Sequence, residues 1–436
     1  MTVLAPRPPA QDRAFGLEFY GTSTPGVAGR TKSSSEAFRV TEISDYPMPD
    51  PAGSFSVLRV ESRDWEQHEL GQAIARRLGL SAASVQWAGT KDRRAVAERL
   101  VSYRGPLPTG DLGLPRVVVR DAYTARDGLV LGRHFGNAFE VRVDELPVPV
   151  TDALALFRAT EEELRRLGHW PNFFGPQRFG EVRPVTHDVG RHVVRGDLAA
   201  AVETYLTARP AGVPDGVGDA ARATYAETHD AARALREFPS AYRFERAMLE
   251  RLANGEGPDR AFRALGRELR LLFVHAFQSL LFNRWLSRRA AAGLPLDRPV
   301  PGDRLLRIGR DGTVRSQEGV PVAEDNLVEC RDLVARGGAW VAGPLVGYET
   351  PLSEGEPGTI LADLLREEGV DRSMFRVPAS PGVASRGAWR PAVLPVPPIG
   401  LSAAEPDSVW FRFALPKGAY ATVFLREFLK TGSTAR

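Results

Sequence analysis

Residues Phe38-Arg39-Val40-Thr41-Glu42-Ile43 alternate apolar and polar side chains, the period-two pattern of a strand with one buried face. Phe139-Glu140-Val141-Arg142-Val143 and Val409-Trp410-Phe411-Arg412-Phe413-Ala414-Leu415 read the same way, and Phe55 to Val60 forms a further strand. Shorter apolar runs predict strands at Val85–Ala88, Leu100–Tyr103, Val117–Val119 and Leu129–Leu131. Asp64 is placed to cap a helix from Trp65, with Leu70, Ile74 and Leu78 on one face and Gly79 ending it. Thr151–Leu167 is an amphipathic helix. Beyond Gly180 the period changes: Leu198–Leu206, Ala220–Arg236, Arg243–Leu252 and Arg260–Arg288 predict helices. Gly302–Val314 reads as a hairpin turning at Asp311-Gly312. Tyr420–Leu429 is a closing amphipathic helix.

A strand-rich start, a helical middle and a final strand and helix imply one sheet domain with an insertion. The expected division is a flexible N-terminal arm over 1–30, rich in Pro, Gly and Thr, then the first part of a sheet domain over 31–169. An inserted, mostly α domain follows over 170–376. The Pro/Gly-rich connection and the final strand and helix over 377–436 return to the sheet domain.

A single cysteine, Cys330, excludes an internal disulfide and any zinc site built on cysteines of one chain. No apolar run is long enough to span a bilayer, and the N-terminus lacks a charged leader followed by an apolar stretch. A cytoplasmic protein is expected. His187 and His192 are five apart, not the four that would set two imidazoles on one helical face, so no metal is expected there. There is no phosphate-binding Gly-rich loop followed by Lys-Ser/Thr, and no Gly-x-Ser-x-Gly turn.

The net charge of +3 permits a polyanionic partner without requiring one. The cations are 53 arginines against four lysines: Lys32, Lys91, Lys417 and Lys430. With arginine so dominant, a lysine marks a place where a compact ammonium is wanted. Lys91 adjoins Asp92 in Trp87-Ala88-Gly89-Thr90-Lys91-Asp92-Arg93-Arg94-Ala95-Val96. Three cations around one carboxylate favour its charged form, which suits a nucleophile that needs no partner base. The same composition also describes a solvated basic turn. In Gly136-Asn137-Ala138-Phe139, Asn137 and Phe139 are either an amide donor and a stacking ring or a turn and a core residue. The stretch 170–180, aromatic and Gly-rich with Arg178, breaks all periodicity and reads as a structured loop.

Together these stretches resemble the TruD family of pseudouridine synthases. Gly89 to Val96 is similar to the family's Gly-x-Lys-Asp-x-x-Ala-Val segment, and Asn137 to Phe139 to its Asn-x-Phe segment. Pro171-Asn172-Phe173-Phe174-Gly175-Pro176-Gln177-Arg178-Phe179-Gly180 is similar to its most specific signature. Lys32 to Glu42, with Glu36 and Phe38, resembles its N-terminal Lys…Glu-x-Phe segment. His275 to Asn283 and Leu415 to Thr422 resemble later segments, in family order from about residue 30 to 430. Ala97-Glu98-Arg99 departs from the family's Thr-x-Gln, and the region 209–242 is longer than in the shortest bacterial members.

The resemblance implies an α+β fold: a mixed, largely antiparallel sheet with flanking helices, interrupted by the inserted mostly α domain. It implies isomerisation of uridine to pseudouridine in RNA, most readily tRNA, with no metal and no cofactor. Asp92 would be catalytic, with Asn137 orienting it and Phe139 stacking on the base. Lys32, Lys91, Phe38, Glu36 and Arg178 would bind RNA. The alternatives are a non-catalytic RNA-binding protein that retains this fold and, last, a glycosidase. The latter needs two acids across a cleft, and the central motif supplies one.

Overall fold

The computed structural model describes residues 7–180, 182–210, 216–309, 313–316, 318–404 and 406–431. The protein is α+β and divides into two compact units. One comprises 20–170 and 395–436, the other 7–19 and 171–394.

The first unit is built on a sheet whose strands run β1 (Arg30–Thr31), β2 (Phe38–Ile43), β3 (Phe55–Arg63), β4 (Gln86–Trp87), β5 (Val96–Arg104), β6 (Val117–Ala125) and β7 (Gly136–Asp144). Gly400–Ala404 and Ser408–Pro416 complete it. Across the sheet the order is Gly400–Ala404, Ser408–Pro416, β7, β2, β5, β3, β6. Only β2 and β5 are parallel in this path; the other pairs are antiparallel. β2 shows the predicted alternation, with Phe38, Val40 and Glu42 turned inward. Its register sets Glu42 opposite Asn137 and Val40 opposite Phe139. On the far side of β7, Leu415 faces Asn137 and Phe413 faces Phe139. Since side chains alternate faces, Glu42, Asn137 and Leu415 share one row, and Val40, Phe139 and Phe413 the next.

Helix Gln67–Arg77 covers the β3–β5–β6 end with Leu70 and Ile74, both fully buried against Leu58, Val60 and Val101. Its cap is Glu66, which accepts from the backbone N–H of His68 and Glu69. Asp64, the expected cap, sits instead at φ +60 and accepts from Ser35 and Arg116. Helix Val150–Leu167 covers the other end, its Phe157 ring 4.9 Å from Phe411 and 6.3 Å from Phe428 of the closing helix Ala421–Leu429. Leu129–Leu131 is not a strand. Leu129 is buried, its N–H on Ser102 Oγ, while Val130 and Leu131 are exposed. That sets them in a loop over the sheet's edge.

The second unit centres on helix Arg267–Ala291, whose Phe273, Phe277, Leu280, Leu281 and Phe282 are fully buried. It packs against Thr186–Arg195. The long predicted helices are broken. Ala220–Arg236 is Asp219–Thr228 and Ala231–Glu237, parted by His229 at φ +49 and recapped by Asp230. Arg260–Arg288 is Pro258–Arg263 and Arg267–Ala291, parted at Gly266. A four-stranded sheet, Val320–Pro321, Arg304–Arg307, Ala339–Leu345 and Ala388–Pro391, accompanies the helices. It carries the chain beyond the expected boundary at 376, because Ala388–Pro391 is hydrogen-bonded to Ala339–Leu345. The hairpin turn Asp311-Gly312 lies outside the described residues, although Ile308 and Val314 beside it are bridged.

The arm is a correction. Residues 7–30 of the expected flexible arm 1–30 are folded: Ala10–Ala14 is helical and Asp12, Phe15, Leu17 and Val27 are buried. Phe15 stacks on Phe179 at 4.8 Å, and its carbonyl accepts from Asn283. Two aromatic rings and a buried amide outweigh the weak local propensity. Phe15→Ala is expected to destabilise the second unit by about 3 kcal/mol. A urea midpoint unchanged from the parent protein would mean that this segment contributes no packing.

Candidate active site

Asp92 lies in the connection between β4 and β5, which passes over the face carrying Phe38, Val40 and Glu42. Its side chain is 45% exposed, and its Oδ2 accepts from Lys32 Nζ at 2.6 Å. Lys32, at φ +57 just after β1, also places its ammonium 4.5 Å from the centre of the Phe38 ring. Phe38 meets Phe139 edge-on at 6.0 Å, and Phe139 stacks on Phe413 at 5.5 Å. Lys32 thus ties the carboxylate to the edge of an aromatic layer drawn from three strands.

The residue before Asp92 points the other way. Lys91 Nζ reaches down to Glu42 Oε2 at 2.8 Å, and the two side chains are 2% and 0% exposed. Burial pulls the Lys91 ammonium below the usual lysine range against the opposing pull of Glu42. Gly89 lets the backbone pass. A Cβ there would stand 3.0 Å from the His134 ring and 3.2 Å from Lys91 Nζ. Burial, with Lys91 and Lys417 nearby, holds His134 below the ordinary histidine range despite Glu42. Lys417 donates to the Gly132 carbonyl at 2.7 Å on the same rim. Three of the four lysines are gathered here as point donors.

Several expected roles change. Lys91 is buried against Glu42 and presents nothing to a phosphate. Phe38 is 3% exposed and cannot stack on a base. Glu36 pairs with Arg63 at 2.5 Å, and the backbone hydrogen bond it accepts, followed by Arg63, holds its carboxyl below the usual range. Phe139 is 9% exposed, a largely covered ring rather than an open platform. Asn137 lies on the right face but makes no hydrogen bond to Asp92; Lys32 holds that carboxylate. Arg178 belongs to the second unit, where its Nε donates to Ser279 Oγ at 3.1 Å. Around it the signature loop is a packing hub: Phe173, Phe174 and Phe179 are buried, and Asn283 holds the backbone N–H and carbonyl of Phe174.

Sequence reasoning passed over Glu42, His134 and Phe413. Glu42 was signalled, as a charged residue at an inward position of a strand. The departure at Ala97-Glu98-Arg99 is self-contained. Ala97 is buried, Glu98 pairs with Arg59 at 3.1 Å, and Arg99 donates to Gln67 and to Ser62 Oγ. Burial pushes the Arg99 guanidinium down to about 10. Among the described residues, no group of three or more His, Cys, Asp or Glu could hold a metal ion. Nor, among them, is any helix long and apolar enough to cross a membrane.

The chain matches the family model described as tRNA pseudouridine synthase D (TruD) over residues 14–428. It is 37% identical to a probable tRNA pseudouridine synthase D of Halobacterium salinarum, across 97% of this chain and 98% of that one. A protein of the same description from Pyrococcus furiosus is 36% identical, across 96% and 99%. Among solved structures, the putative tRNA pseudouridine synthase D of Methanosarcina mazei is similar with a TM-score of 0.81 and 31% identity, covering the whole of both chains.

Removing one partner of a buried ion pair leaves an uncompensated charge. Glu42→Leu is expected to destabilise the first unit by about 3–5 kcal/mol. Adding Lys91→Met to Glu42→Leu should restore most of that. Equal losses in the single and double variants, by chemical denaturation, would show that the pair is not coupled.

Proposed function

The chain belongs to the tRNA pseudouridine synthase D (TruD) family, and from that premise we propose that it converts a uridine of tRNA to pseudouridine, with Asp92 as the group that acts at the sugar. The observation that supports this reading is the half-exposed Asp92 carboxylate, held at 2.6 Å by Lys32, whose ammonium lies over the Phe38 ring that meets Phe139 and, through it, Phe413. Such a reaction breaks the bond from uracil N1 to the anomeric carbon, turns the base and joins that carbon to C5. N1 gains a proton and C5 loses one. The nucleotide must first leave its stack, which costs a few kcal/mol. Asp92 then either attacks the anomeric carbon or takes a sugar proton, and both routes need a free carboxylate oxygen. Lys32 occupies Oδ2 and leaves Oδ1 available.

Phe139 has no hydroxyl and moves no proton. Its ring, backed by Phe413, offers the base an apolar contact. Lys91 and Glu42 fix the loop from below. Arg93 and Arg94, exposed beside Asp92, supply phosphate contacts, and the enzyme works in the cytoplasm with its substrate. No cofactor enters. A protein that only bound RNA would gain nothing from an acid held open among cations.

Asp92→Asn is expected to abolish release of tritium from tRNA labelled at uracil C5 while leaving tRNA binding within about threefold. Release at near the parent rate would refute the catalytic role. Affinity should also fall with salt: two phosphate contacts correspond to roughly a 12-fold loss between 50 and 200 mM. Filter binding that stays flat over that range would remove Arg93 and Arg94 from the interface.

A further inference from the structure

Val130 and Leu131 are 53% and 70% exposed, the only large hydrophobic side chains exposed side by side among the described residues. Exposed loop tips are ordinarily the mobile parts of a fold, but this one is pinned. The Arg133 N–H donates to the Val130 carbonyl at 3.0 Å, closing a turn over 130–133. Gly132 stands at φ +83 while Leu131 has a negative φ, the combination of a type II turn with glycine at its third position. A Cβ on Gly132 would meet nothing within 4 Å, so glycine is there for its backbone and not for want of space. Leu129 N–H donates to Ser102 Oγ, Gly132 N–H to the Ala88 carbonyl at 2.7 Å and Phe135 N–H to the Ile43 carbonyl. The Gly132 carbonyl accepts from Lys417, and the Arg133 guanidinium lies 3.5 Å from the centre of the Tyr46 ring.

Two contacts join this turn to the candidate site. Gly132 holds Ala88, which begins the loop that carries Asp92, and the His134 ring is 3.0 Å from where a Gly89 Cβ would stand. From Ala88 to Asp92 is four residues, at most about 14 Å of extended chain. Leu131 is thus fixed near the acid, with Arg133 and Lys417 at its own turn and the exposed Arg93 and Arg94 on the neighbouring loop. A second copy of this chain does not fit such a tip: two side chains fall far short of the ~800 Å² per partner that a stable dimer buries. RNA does fit it. Phosphates meet the cations, and the apolar faces of bases meet the tip.

We infer that Leu131 is a wedge. It enters the gap that the uridine leaves in its strand, covers the faces of the two neighbouring bases and keeps the nucleotide from returning. This rests on the pseudouridine synthase reading of the same site. A uridine that turns out gives up its contacts with both neighbours and bares their faces to water. An aliphatic side chain replaces that apolar contact without offering a hydrogen bond of its own. Because the turn is already fixed, little freedom is lost on insertion. Val130, the first residue of the turn, adds apolar surface beside it.

Mapping first locates the modified uridine in bulk tRNA, and RNA of that sequence is made with tritium at C5 of that uridine. One RNA is intact. In the other the two residues flanking the target lack their bases, so there is no stack to leave. Leu131→Ala should lower kcat/KM about 10-fold on the intact RNA, through the apolar surface it removes. On the abasic RNA it should stay within about twofold of the parent protein, because the protein and RNA changes remove the same contact. Leu131→Met, which keeps the apolar length, should stay within about threefold of the parent protein on both. In the Asp92→Asn background, 2-aminopurine placed beside the target should brighten on binding, and by less when Leu131→Ala is added. The variants keep their fold, since the side chain they alter is exposed. Equal losses on intact and abasic RNA would overturn the inference, and so would no loss on intact RNA. A dimer in sedimentation that Leu131→Ala separates into single chains would also overturn it. If the parent protein releases no tritium from bulk tRNA labelled at uracil C5, the synthase reading fails and the wedge with it. Release by the parent protein that Leu131→Ala leaves unchanged overturns the wedge alone.

Discussion

A lysine ammonium with 2% of its side chain exposed and a fully buried carboxylate tolerate one another only as a pair. Separately, each would cost several kcal/mol to bury. That demand fixes where the loop between β4 and β5 can run. Lys91 must reach Glu42, so the backbone must pass close over the sheet, and Gly89 is where it passes. Asp92, one residue on, is then turned to the open side, where Lys32 meets it. Arg99, a second buried cation, donates to Gln67 and to Ser62 Oγ while sharing the field of Glu42 with Lys91.

The choice of cation follows the same logic. Arginine serves wherever a broad planar donor or a solvated charge suffices, as in the many surface pairs. Lysine stands where a compact ammonium must reach close acceptors: Lys32 on Asp92, Lys91 on Glu42, Lys417 on the Gly132 carbonyl and Lys430 on Thr22 and Glu427. A guanidinium at Lys91 would bring five donors into a space that offers few acceptors.

The most specific motif in the sequence belongs to the second unit. The loop 171–180 is dense in Gly, Pro and Phe because it is threaded through the second unit's core, with Asn172 clasped to Arg390 and Phe174 to Asn283. Many simultaneous packing constraints restrict a segment as tightly as catalysis does. The candidate site is less conspicuous: one acid, one amide and a few rings on strands of ordinary composition.

Local pattern alone was enough to recover the period-two strands, the helix faces and the lone acid among cations, because burial of one face imposes its period directly on the chain. Family likeness carried the order of the segments. Other features depended on partners remote in sequence. Leu129–Leu131 has strand composition but lies as a loop. Residues 7–30 have loop composition but are folded, because Phe15 finds Phe179. Lys91 read as a phosphate contact and is a buried anchor, and Asn137 read as a partner of Asp92 and faces Glu42. Strand register decides such pairings, and a shift of one residue would turn Glu42 to the other face. Register is a property of the assembled sheet, so the sequence named the candidate acid while only the tertiary structure decided what holds it.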